Sequence, residues 1–168
     1  MPPLTAVKAA RGSRADDGRH SEALHGHIKR ACARAGTNVF VNARTDVYLR
    51  GLAPAGERVE PTLARATRYR EAGADGLFVP GVADRGEIGA IAAGAGLPLN
   101  VLLRPQLPDL DDLASLGVRR LSAGSDLAEF AHGVTRQLAE GFLRSGRLAR
   151  VTAEAMGYGD LNALFADR

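Results

Sequence analysis

Residues 41–50 read VNARTDVYLR. The first half alternates apolar and polar side chains, as a strand covered on one face does, and Asn42, Arg44 and Asp46 then stand two residues apart. Residues of one parity share a face, so Val39, Val41 and Ala43 are expected to meet helices while Asn42 and Arg44 occupy the opposite face. In a closed barrel that opposite face is the interior. An arginine placed there implies an anion, either a guest or a fixed carboxylate such as Asp46, and the residues alone leave both open.

Upstream of this strand, Leu24, Ile28, Ala31 and Ala35 recur at three- and four-residue intervals, which predicts an amphipathic helix over 21–34 that Gly36 stops. The pattern of helix end, glycine, short apolar run and polar turn then returns in AGADGLFVPGV (72–82), AGLPLNVLLRP (95–105) and LGVRRLSAGS (116–125). Helix starts are marked between the runs. Asp84 and Glu87 have capping-box spacing, Leu110, Leu113 and Leu116 follow Pro108, and Ser125 stands at the N-cap of a helix bearing Leu127, Phe130, Ala131, Val134 and Leu138. Strands separated by single helices pair in parallel, because the crossover returns the chain to the same edge. The fold class expected is therefore α/β, built of parallel βα units, as an open sheet or as part of a (β/α)8 barrel. Closing such a barrel takes ~250 residues. Residues 1–20 have no sustained period and are expected to form a poorly ordered lead-in to one domain over 21–168.

The bulk numbers narrow the function. The chain has 168 residues, 45% hydrophobic and 24% charged, enough for one core. Its pI of about 9.5 invites a nucleic-acid partner. The arginines, however, fall at helical spacings (Arg65, Arg68, Arg70; Arg136, Arg144, Arg147, Arg150) without interleaved aromatic residues, so they read as solvated helix faces and no nucleic-acid partner is expected. The single cysteine, Cys32, sits at an apolar helical position and reads as core. No apolar run reaches the roughly 18 residues of a membrane span, and MPPLTAVKAARGSR (1–14) holds no continuous hydrophobic stretch like that of a signal peptide, so no export is expected. No membrane partner is expected, and the expected location is cytoplasmic.

Chemistry in a parallel α/β domain gathers at the carboxyl ends of strands. In PLNVLLRP, Asn100, Leu102 and Arg104 share a parity, which sets an amide among apolar neighbours. A buried amide without partners costs roughly 1–3 kcal/mol, so Asn100 holds either a guest or neighbouring backbone. The turn Ser122, Gly124, Ser125 runs into a helix and is a candidate anion site through its amides, although small residues there also serve packing. Pro80 and Gly81 after GLFV carry no ionisable group, and that strand is expected to contribute shape only.

Taken together and in this order, NARTDVYLRG, AGADGLFVPG, PLNVLLRP and LGVRRLSAGS resemble the second half of the isocitrate lyase/phosphoenolpyruvate mutase superfamily, especially its phosphonomutase-like members. The resemblance runs from about Ser21 to the C-terminus, with NARTD its most specific motif. It implies the C-terminal half of a (β/α)8 barrel and a lyase or mutase (an isomerase) acting on small carboxylic or phosphonic acids through an enolate-like intermediate. It places Arg44 as the arginine that contacts a substrate carboxylate or phosphonate, Asn100 as a further substrate contact, and Asn42 beside them. Mg²⁺ is the implied cofactor, but the acidic metal motif and the catalytic loop of the family are not found here, so no catalytic residue and no metal ligand is assigned. The chain is accordingly expected to be a shortened member, nearly inert alone. The alternatives are a non-catalytic module that binds small carboxylates, or a fragment that pairs with a second copy as a homo-oligomer.

Overall fold

The structure, a computed structural model, describes residues 6–8, 36, 39–146 and 156–166. Two compact units divide the chain, Met1–Gly124 and Ser125–Arg168. The first unit holds a sheet of five parallel strands: β1 (Ala6–Lys8), β2 (Phe40–Arg44), β3 (Gly76–Val79), β4 (Leu99–Leu102) and β5 (Val118–Ser122), each hydrogen-bonded to the next in chain order. Helices α1 (Val59–Glu71), α2 (Arg85–Gly94) and α3 (Leu110–Ser115) fill the crossovers between β2 and β5. The parallel α/β expectation therefore holds. Strand β1 lies within residues 1–20, the stretch expected to be a lead-in. The expected helix over 21–34 and Cys32 lie outside the described residues.

Strand parity sorts the core. Val41 and Ala43 of β2 are buried, and so are Leu77 and Val79 of β3 and Leu99 and Val101 of β4, all against Ala66 and Tyr69 of α1, Ile88 and Ile91 of α2 and Leu113 of α3. Each fully buried aliphatic side chain contributes about 1.5–3 kcal/mol. The alternate residues Phe40, Asn42 and Arg44 of β2 are less completely buried, because they face away from the helices.

Local chemistry fixes where each element starts. Asp84 Oδ1 accepts the Glu87 N–H at 2.9 Å and caps α2, while Asp109 Oδ1 accepts the Asp112 N–H at 2.9 Å and caps α3. Arg85 at the start of α2 grips both carboxylate oxygens of Asp112 in α3. That bond to Arg85 holds the exposed Asp112 carboxyl below its ordinary range. Asp75, just before β3, acts as an extra rung of the ladder: its carboxylate accepts the Val41 N–H at 2.7 Å and its own N–H donates to the Val41 carbonyl at 2.9 Å. Both polar groups of a fully buried strand residue are thereby satisfied.

Two glycines are required by close approach. A Cβ on Gly76 would lie 2.9 Å from Phe40 Cζ and 3.0 Å from Asn42 Oδ1. Gly81 turns the chain after β3 with φ +94°, and a Cβ there would stand 3.0 Å from the Leu49 backbone nitrogen. The loops after β2 and β3 thus touch backbone to backbone.

In the second unit, α4 (Asp126–Ser145) is a 20-residue helix ended by Gly146 at φ +65°, followed by the short α5 (Tyr158–Ala163). No helix among the described residues is long and apolar enough to cross a membrane.

Candidate carboxylate site

Arg44 is the last residue of β2, and its side chain keeps only 12% of its surface exposed. Pairing across the sheet sets Arg44 opposite Phe78, Phe78 opposite Asn100 and Asn100 opposite Arg120, a single row over β2 to β5. Neighbouring strands lie ~4.8 Å apart, so the backbones of Arg44 and Asn100 are roughly 10 Å apart, a gap that an arginine and a small organic acid can span.

Two contacts, and the lack of a third among the described residues, define the guanidinium. Its Nε donates to Asp46 Oδ1 at 2.6 Å, its carbon lies 5.9 Å from the centre of the Phe78 ring, and among the described residues its two terminal nitrogens have no hydrogen-bond partner. The ion pair with Asp46 occupies one edge of the fork and, among the described residues, leaves its end without a partner, the geometry that a bidentate acceptor needs. A Phe face beneath a guanidinium adds cation–π attraction and restricts its tilt.

Asn100 is 2% exposed, and its Oδ1 accepts from Ser122 Oγ at 3.0 Å. With the oxygen accepting from Ser122, the amide nitrogen is the donor side of this group. Asn42 shares the face of Arg44 one pleat nearer the strand start, with Gly76 as its neighbour on β3.

The turn at residues 122–125 is arranged differently from a simple anion cradle. Ser122 serves Asn100, Gly124 carries the chain through φ +65°, and the Ser125 hydroxyl donates to Glu129 Oε1 at 2.6 Å. Asp126 and Glu129 occupy the first turn of α4, so carboxylates already stand at that helix N-terminus.

One residue of this site, and one buried group on the loop that follows it, escape the reading of the sequence alone. Phe78 was expected to give shape only, yet it forms the floor under Arg44; the available clue is its parity with Gly76 on a strand neighbouring Arg44. Tyr48, on the loop leaving β2, is buried, and among the described residues neither its hydroxyl nor that of Thr45 has a hydrogen-bond partner. Burial first and the Glu87 carboxylate second push the Tyr48 phenol above its ordinary value.

Among the described residues no group of three or more His, Cys, Asp or Glu is placed to hold a metal ion. Asp46 is the acid beside Arg44 and is committed to it. A hard divalent cation takes several oxygen ligands, commonly carboxylates, so the described residues do not fit Mg²⁺.

The profile of the phosphoenolpyruvate phosphomutase family matches residues 10–143. A Mycobacterium tuberculosis (strain H37Rv) protein, Rv1998c, is 46% identical over 88 residues, 52% of this chain and 32% of its own length. Oxaloacetate decarboxylase of Pseudomonas fluorescens (strain SBW25) is 39% identical over 94 residues, 55% of this chain and 30% of its own. The chain thus spans about a third of the curated relatives it matches. Among solved structures, one assigned to a lyase or mutase of Burkholderia cenocepacia J2315 superposes with a TM-score of 0.78 at 32% identity, covering 96% of this chain and 58% of that one. Phosphonopyruvate hydrolase, solved with oxalate and Mg²⁺, has the same fold, with a TM-score of 0.67 at 23% identity and 58% of its chain covered. These neighbours are barrel proteins of which the chain covers a little over half. On its sequence profile, the chain belongs to the phosphoenolpyruvate phosphomutase family.

Proposed function

We propose that this chain provides the acid-holding side of a lyase or mutase site for small carboxylic or phosphonic acids whose reaction passes through an enolate-like intermediate. Alone, it binds such acids without turning them over. The observation that carries this reading is the Arg44 guanidinium at the carboxyl end of β2, with its terminal nitrogens uncommitted among the described residues and the Asn100 amide two strands along the same row.

The division of labour follows from the groups present. Arg44 pairs with one carboxylate through two parallel N–H···O bonds, which fixes the plane as well as the position of the acid. Asn100, its oxygen held by Ser122, donates to a neutral oxygen on the adjacent carbon. Turnover also needs a general base and stabilisation of the enolate charge, and losing the latter typically costs 10²-fold or more in rate. Asp46 is tied to Arg44 rather than poised as that base. Support for the substrate class comes from the oxaloacetate decarboxylase relative and from the oxalate bound by phosphonopyruvate hydrolase.

Calorimetric titration with oxalate and pyruvate tests the reading. Wild type binds weakly, and Arg44→Lys binds ~10-fold more weakly because an ammonium lacks the planar fork. Added Mg²⁺ leaves affinity unchanged. Equal binding by the lysine variant returns Arg44 to a purely structural role, and strong metal dependence or Mg²⁺-driven decarboxylation of oxaloacetate by wild type overturns the picture of a binding half.

A further inference from the structure

Arg44 ends β2 and Asp46 follows two residues on, and the two meet through Nε alone. A guanidinium offers a carboxylate either its side edge (Nε with one Nη) or its end (both Nη). Asp46 holds the first of these, while Phe78 lies under the plane at 5.9 Å. The side chains of Arg44 and Asp46 are 12% and 15% exposed, so the pair is well shielded from solvent.

We propose that Asp46 is a positioning residue for anion recognition: it takes the Nε edge so that Arg44 presents only its end-on pair of donors to a single carboxylate. The proposal rests on the reading of Arg44 as the carboxylate binder and adds a specific arrangement to it. A negative charge so near an anion site ought on electrostatic grounds alone to weaken binding. Its presence is useful only if the geometry it imposes outweighs that repulsion. An unheld arginine loses rotamer freedom when the ligand binds, whereas a held one has lost it already.

Two substitutions separate geometry from charge. Asp46→Asn and Asp46→Leu remove the same charge and keep the branched outline of aspartate, leucine being the bulkier, but only asparagine keeps an oxygen that accepts from Nε. Positioning predicts that Asp46→Leu binds oxalate ~10-fold more weakly than Asp46→Asn, with Asp46→Asn at or above wild-type affinity. Pure charge repulsion predicts that both variants bind more tightly than wild type, and equally. Thermal melts identify any loss of fold, and Asp46→Ala serves as the second acceptor-free variant should leucine fail to fold. Equal oxalate affinity of the asparagine and acceptor-free variants overturns the proposal. If Arg44→Lys binds like wild type, the carboxylate reading itself fails. If Arg44→Lys weakens binding while the Asp46 variants agree with each other, only the positioning role fails. No binding by wild type overturns both.

Discussion

Ser122 Oγ donates to Asn100 Oδ1 at 3.0 Å, so a hydroxyl on β5 sets the direction of a buried amide on β4. Ser122→Ala is expected to cost about 1 kcal/mol, the usual net worth of such a bond, because the amide oxygen loses its donor while 2% exposed. Urea denaturation measures this. A double-mutant cycle with Asn100→Ala should show the two costs to be non-additive, and additive costs would mean the bond contributes nothing.

Among the described residues, the Asp75 carboxylate is the side-chain acceptor that the buried Val41 N–H reaches. Asp75→Ala leaves that buried donor unmatched and is expected to destabilise the fold by roughly 1–3 kcal/mol, whereas Asp75→Asn keeps an acceptor in place and costs less. Chemical denaturation midpoints of the two variants decide between this and a purely surface role, in which they would coincide.

Gly76→Ala inserts a methyl group into the Phe40 ring and the Asn42 side chain. Overpacking of this kind costs about 1–3 kcal/mol. Replacing the ring in Phe40→Leu should return part of that loss in the double variant. A double variant less stable than the sum of the singles would place the strain in the backbone instead.

Tyr48 gives a pH prediction. Its phenol ionises above its ordinary value in the folded chain and near 10 when unfolded, so between those two values the native state retains a proton that the unfolded state has released. Stability from this group is intact below pH ~10 and falls as pH rises beyond it. Tyr48→Phe, which removes a buried hydroxyl without a partner among the described residues, should be neutral to about 1 kcal/mol more stable at neutral pH, and its advantage should widen between about pH 9 and pH 11. Parallel melting curves for both proteins across that range would refute it.

The strands β2 to β5 were legible because each is a short apolar run set off by glycine, and the parity of Asn42 and Arg44 followed from the two-residue period alone. Strand β1 was not, since three residues are too few to show a period. The pairing of Ser122 with Asn100 was also hidden. Leu99 sits opposite Val118 but Asn100 sits opposite Arg120, an irregularity that skips Arg119 and brings Ser122 level with Leu102. Such a bulge depends on cross-strand packing and leaves little trace in either strand. Phe78 went unread for a related reason: a phenylalanine in an apolar run looks like core, and its place beneath a guanidinium depends on the register between β2 and β3.

The identity of strand order and chain order has a consequence for how the sheet is made. Each strand pairs with the one synthesised just before it, so no strand from β2 onward waits for a distant segment to emerge from the ribosome. Nascent chains lengthen by about 5–20 residues per second, far slower than a helix forms or a short loop closes. Growth by successive addition lets each new βα unit cover the edge left by its predecessor, so that on the growing side of the sheet only the newest strand is open.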